Sequence, residues 1–158
     1  MKEIVTFFLS GKVYGVDVSR MQAIENYEEM IAMPGMPENL QGFVSIRGEI
    51  LPVIDIKKYF RLPQTKVTPE TKYVILRTTQ GKVVVVADGV SKIIKADGND
   101  VQEFPQLLRT EATSYVEFIV KNENHLILAI GAEDFLSKEE WDLVRKLIAE
   151  IETGGNDD

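Results

Sequence analysis

The chain has 158 residues, 44% of them hydrophobic and 27% charged, with a formal net charge of −7. That length suits one ordinary domain, or two small units sharing a core. The acidic balance argues against binding nucleic acid or anionic lipid, both of which are held through surplus Lys and Arg. Cysteine is absent, which removes disulfides, thiolate metal sites and a cysteine nucleophile and fits a cytoplasmic protein. The longest apolar runs, such as Val83–Ala87, fall far below the roughly 18–20 residues of a membrane-spanning helix. Ile4–Leu9 is too short for the apolar region of a secretory leader, and no small-residue cleavage site follows it.

In chain order, Ile4–Leu9 reads as a strand, Ser10-Gly11-Lys12 as a turn and Val13–Val18 as a returning strand. Gly15 inside it marks a bulge or a close backbone approach. Ser19–Ile24 reads as a short helical turn capped by Ser19 or as continued extended chain, with the turn favoured. Tyr27–Ala32 is short and mixed, Met33–Pro37 with its two prolines is a loop, and Glu38–Gly42 reads as one helical turn.

Phe43–Phe60, FVSIRGEILPVIDIKKYF, is the most informative stretch. Val44 and Ile46 alternate with Ser45 on the way into an Arg47-Gly48-Glu49 turn, the period of a half-buried strand. On the way out Ile50, Ile54 and Ile56 fall on one face, and Leu51 and Val53 on the other. A strand apolar on both faces needs cover on both sides.

Arg61–Glu70 is polar, contains Pro63 and Pro69, and reads as the linker between halves. Tyr73–Arg77 and Lys82–Ala87 form a hairpin around Thr79-Gln80-Gly81, the second arm β-branched from Val83 to Val86. Val90–Ile94 is a further short apolar piece, Ala96–Asn99 a turn, and Phe104–Thr113 irregular. Val116–Val120 and Leu126–Ile130 pair across Lys121–Asn124. A helix closes the chain. Ser137 and Glu140 make a capping box, and Trp141, Val144, Leu147, Ile148 and Ile151 form one apolar stripe. Gly154-Gly155 stops it, and the acidic tail beyond is expected to be disordered.

A divergent repeat runs through this pattern. Gly11-Lys12-Val13 recurs as Gly81-Lys82-Val83, and the Phe43–Phe60 hairpin has a weaker counterpart in Phe118–Leu136. Two related β modules sharing an apolar interface would supply the second cover that the Ile50–Ile56 strand requires.

Chemistry finds few residues to stand on. His125, the only histidine, has no companion ligands or positioned nucleophile and reads as a solvated turn residue. Asp55 and Asp88 each close an apolar strand. They could pair as general acid and base, but turn and cap roles are the simpler account. Neither Gly11-Lys12 nor Gly81-Lys82 has the spacing of a phosphate loop. Arg47 is open between a solvated hairpin tip and an interface hot spot, a planar donor fork beside an apolar strip. Val18, Met21 and Ile24 form a further apolar group, with core packing its default role.

These residues resemble the CheW family of chemotaxis coupling proteins over nearly the whole chain. The resemblance is carried by Tyr14–Val18 with Gln22-Ala23-Ile24, by Gly42–Ile56, by Val83–Val90 and by Phe135–Glu140. It implies a mainly β fold of two packed five-stranded SH3-like β-barrels with short helical turns and a C-terminal α-helix. The expected boundaries are 14–70 for the first barrel, 71–136 with strand 3–10 for the second, 137–152 for the helix and 153–158 for the tail. It further implies a non-enzymatic cytoplasmic adaptor with no cofactor, metal or membrane insertion. Such an adaptor links the cytoplasmic tip of methyl-accepting chemotaxis receptors to the regulatory domain of a CheA-type histidine kinase within membrane-associated receptor arrays. Val18 and Met21 fall at kinase-binding positions. Arg47, Ile50, Val84 and Ile93 fall at receptor-binding or groove-shaping ones, Arg47 acting by contact or by holding the groove's shape.

Two departures stand out. Val84 replaces a Gly common among relatives, which implies a narrower groove. Val116-Glu117-Phe118 and Asn122-Glu123-Asn124 stand where relatives carry a Gly-containing strand and an Asp-Gly turn. The same scaffold serving a different kinase system is the alternative function, and an enzyme using Asp55 and Asp88 is the remote one.

Overall fold

The computed structural model of the protein describes residues 1–110 and 113–154. In chain order its elements are β1 (Lys2–Leu9), β2 (Lys12–Asp17), β3 (Met21–Asn26), β4 (Leu40–Ile46), β5 (Glu49–Ile54), α1 (Ile56–Tyr59), β6 (Lys72–Arg77), β7 (Lys82–Ala87), β8 (Gly89–Ala96), β9 (Val101–Glu103), β10 (Val116–Asn122), β11 (His125–Ile130) and α2 (Lys138–Gly154). One sheet runs β8-β1-β2-β11-β10-β9 and the other β3-β6-β7-β5-β4. The fold is thus mainly β in two sheets, the first carrying a short sixth strand, β9, beyond the five expected. None of the described helices is long and apolar enough to cross a membrane.

Three hairpins turn on two residues that both have positive φ. These are Ser10-Gly11 (51° and 82°), Arg47-Gly48 (53° and 81°) and Glu123-Asn124 (48° and 68°). Such turns match the right-handed twist of the strands they join. Parallel pairings then link hairpin to hairpin, Gly15 of β2 with Ala129 of β11 and Val53 of β5 with Val84 of β7. Gly15 is a close approach rather than a bulge. Its pairing with β1 runs without a shift, and a Cβ there would stand 2.6 Å from Ile4 Cγ2.

Three apolar clusters follow from strand alternation. Ile4, Ile94, Phe118, Val120, Ile127 and Ala129 fill the inside of the six-stranded sheet. Val44, Leu51, Val53, Tyr73, Ile75 and Val84 fill the inside of the five-stranded one. The largest cluster joins the two sheets, taking Val5, Phe7 and Val16 from one and Phe43, Ile54, Val74 and Val85 from the other. β5 therefore divides as its sequence demands, with Leu51 and Val53 inside its own sheet and Ile50 and Ile54 toward the seam.

α2 covers one end of this seam. The Ser137 N–H donates to Glu140 Oε1 at 2.9 Å and the Glu140 N–H to Ser137 Oγ at 3.1 Å, the expected capping box. Trp141 and Val144 are buried in the seam, with Leu147, Ile148 and Ile151 packed behind them. The stripe docks on the protein's own sheets.

Several expectations need correction. The sheets do not divide at 70/71, because β6 and β7 complete the five-stranded sheet while β2 joins β1 in the other. The handover falls at Asp88, between β7 and β8. Val18–Arg20 is one tight turn, but Asp17 caps it in place of Ser19, accepting from the Ser19 N–H at 3.0 Å, and the chain is extended from Met21 onward. Leu40–Gly42, expected as part of a helical turn, already belongs to β4. Gln106–Leu108 forms a short helical turn inside the expected irregular stretch, and the tail from Gly155 lies outside the described residues.

Candidate protein-binding surfaces

Arg47 stands at the tip of the β4–β5 hairpin with its side chain 82% exposed. β3 and β4 are the two edges of the five-stranded sheet. Its Nε donates to Glu25 Oε1 on β3 at 2.9 Å, so one ion pair bridges the open edges. A second bridge runs along the same rim, from Lys82 Nζ to Glu49 Oε1 at 2.8 Å. Between them lies a mouth of about 500 Å³ with Ala23, Leu51 and Ile75 at its floor. Arg47 is thus a largely solvated tip that is also paired across the sheet edges, and Glu25 is the partner that sequence reasoning missed. No local signal links them, since the pair forms only when the sheet curls.

Ile50 and Ile93 both face the seam. Ile50 packs against the shared cluster, and Ile93 pairs with the buried seam residue Val5 yet remains 59% exposed on edge strand β8. They mark places where one sheet runs past the cover given by the other. Val84 does not join them. It is 0% exposed and packs inside the five-stranded sheet beside Val53 and Ile75, so it cannot touch a partner. In Val83–Val86 both faces are apolar, and only the pairing with β5 decides that Val84 points inward.

Val18 and Met21 flank the tight turn between β2 and β3, half-buried at another margin of the seam with Ile24 beyond them. Leu107 and Leu108, beside β9, add an exposed apolar pair within the stretch expected to be irregular.

Asp55 and Asp88 do line one small cleft, of about 70 Å³, with Lys57, Gln64 and Thr65. Asp55 caps α1, accepting from the Lys58 N–H at 3.3 Å. Asp88 accepts from Lys57 Nζ at 2.8 Å, from Thr65 Oγ1 at 2.6 Å and from the Ser10 N–H at 2.6 Å. Burial pushes the Asp88 carboxyl up, but these hydrogen bonds and the Lys57 charge outweigh it and hold the group below its ordinary value. A carboxylate so engaged is a fixed anion that ties the Arg61–Thr71 segment to the sheets, and no proton donor. His125 lies exposed at the start of β11, and among the described residues no cluster of His, Asp and Glu is placed to hold a metal.

The depressed Asp88 value gives a pH dependence. Its stabilisation is present above the unfolded carboxyl value, about 3.9, and is lost as pH falls through the folded one. Asp88→Asn should cost about 1–3 kcal/mol at neutral pH, and less at a pH below the folded carboxyl value. Denaturant melts at the two pH values check this, and an equal loss at both would contradict it.

The model of the CheW-like domain family matches residues 3–140. The chain is 28% identical to the chemotaxis protein CheW of Bacillus subtilis, covering 87% of this chain and 88% of that one. It is 27% identical to the chemotaxis protein CheW of Klebsiella aerogenes, covering 90% and 86%. Among solved structures it resembles the scaffolding protein TtCheW of Thermoanaerobacter tengcongensis, with a TM-score of 0.78 and 27% identity over 88% of this chain and 94% of that one. With the family match spanning both sheets and the start of α2, the chain belongs to the CheW-like domain family.

Proposed function

We propose that the protein is a non-catalytic scaffold of chemotaxis signalling that couples methyl-accepting receptors to a CheA-type histidine kinase. It would work in the cytoplasm, at membrane-associated receptor arrays. The observation that supports this best is that one shared core leaves apolar side chains uncovered at several margins. Val18 and Met21 lie beside the β2–β3 turn, Ile50 lies near the Arg47 tip, and Ile93 is exposed on edge strand β8. A module with several such margins can hold two partners at once, and contacts of modest area suit an array that must assemble and respond. Val18 and Met21 take the kinase regulatory domain. Ile50 and Ile93 take the receptor tip, and Arg47 holds the adjoining rim. No side chain is given a catalytic role, and no cofactor or metal is required.

The kinase surface is tested with Met21→Asp. Met21 is half-buried at a strand end, so the variant should fold. Its affinity for the purified kinase regulatory domain should fall by more than about 1.4 kcal/mol, tenfold. Calorimetric titration of the folded variant measures this. Unchanged binding would remove Met21 from the interface.

A further inference from the structure

The two sheets correspond strand by strand: β8-β1-β2-β11-β10 in one follows the same pairing pattern as β3-β6-β7-β5-β4 in the other. Each has an antiparallel hairpin joined through one parallel pairing to a second hairpin. The Glu123-Asn124 tip of β10–β11 is the counterpart of the Arg47-Gly48 tip, with the same pair of positive φ angles. The six-stranded sheet should therefore have a mouth equivalent to the one beneath Arg47, and it does. This mouth has a volume of about 630 Å³, with Thr6, Ile94 and Ile127 at its floor.

The two rims differ in charge. Around the five-stranded mouth the charges neutralise one another, Arg47 with Glu25 and Lys82 with Glu49. Around the six-stranded mouth stand Lys12, Lys92 and His125 against the single acid Glu123. None of these four side chains forms an ion pair or side-chain hydrogen bond among the described residues. The walls are apolar and open, with Val13 40% and Leu126 67% exposed. Lys12 and Lys92 thus make a locally basic rim beside an apolar mouth on a chain of net charge −7.

We propose that this mouth is a third recognition site, taking a short acidic segment of a partner protein that inserts one bulky apolar side chain. The cavity has room for one such side chain against Val13, Ile127 and Leu126. The lysines would then meet the flanking carboxylates, which makes the attraction sensitive to salt. A second copy of this chain is a poorer occupant, since its overall negative charge is repelled by an identical one. The site uses neither Met21 nor Arg47, so its failure leaves the coupling function untouched.

The test is selection from a phage-displayed library of random short peptides on the full chain, with counter-selection on Leu126→Asp. Leu126 is exposed, so that variant keeps the fold, as circular dichroism will check. The expected result is enrichment of Asp- and Glu-rich sequences around one Leu, Phe or Trp. A selected peptide should shift the amide resonances of Val13, His125 and Leu126, and bind at least tenfold more weakly to the Lys12→Glu/Lys92→Glu double variant. No enrichment over Leu126→Asp, convergence on neutral or basic sequences, or shifts elsewhere on the molecule would overturn the proposal. So would saturable binding of free decanoate in the mouth with no peptide selected, which would make the site one for small amphipathic acids.

Discussion

Arg47→Glu is expected to abolish receptor-dependent kinase activation by a protein that still folds. The fold survives because the side chain is 82% exposed, and an exposed ion pair contributes only about 0–1 kcal/mol. Function fails because a carboxylate at this tip faces Glu25, now its only near partner on β3, and repels it where Arg47 once bridged the two sheet edges. The charge-swapped double variant Arg47→Glu/Glu25→Arg separates two roles. If Arg47 holds the rim in shape, the swap restores activation to within a few-fold. If a partner touches the guanidinium itself, activation stays lost, because that partner now meets the wrong charge at the tip. Normal activation by the folded single variant would remove Arg47 from the coupling site altogether.

Val84 and Ile93 should separate stability from recognition. Val84→Ala deletes two methyl groups from a fully buried position between Val53 and Ile75. It should cost about 2 kcal/mol in denaturant unfolding, transfer and cavity contributions together. Affinity for a receptor-tip fragment, measured on the folded fraction, should not change. Ile93→Asp should do the reverse. The side chain is 59% exposed on an edge strand, so stability should move by no more than about 1 kcal/mol, while receptor affinity falls at least tenfold. Loss of receptor affinity in the folded Val84→Ala protein would instead give Val84 a part in shaping the groove from inside the sheet.

What was legible in the sequence follows from what alternation encodes. It records which face each residue takes, so the two-sided strand at Ile50–Ile56 and the seam it requires could be read directly. The capping box at Ser137 and Glu140 was equally legible, being complete within four residues. Alternation does not record which strand lies alongside. The parallel pairings of β2 with β11 and β5 with β7 join segments far apart in sequence, so the division of the chain into sheets could not be read. The polar segment after Phe60 looked like a boundary but is a strap, fixed by Thr65 and Lys57 on Asp88. The inward placement of Val84 was not legible for the same reason. In a run apolar on both faces, inside and seam are told apart only by the neighbouring strand. The Ser19 cap failed on a finer scale, because Asp17 two residues earlier offers an equally good acceptor and wins it.

The proposed role requires that two partner surfaces on one core can be filled together. It is tested most directly by titrating a receptor-tip fragment into the protein already saturated with kinase regulatory domain, followed by calorimetry. The expected result is receptor binding with the affinity of the free protein, and a three-component complex on sedimentation. Competition between the two partners, or failure of either to bind, would contradict it.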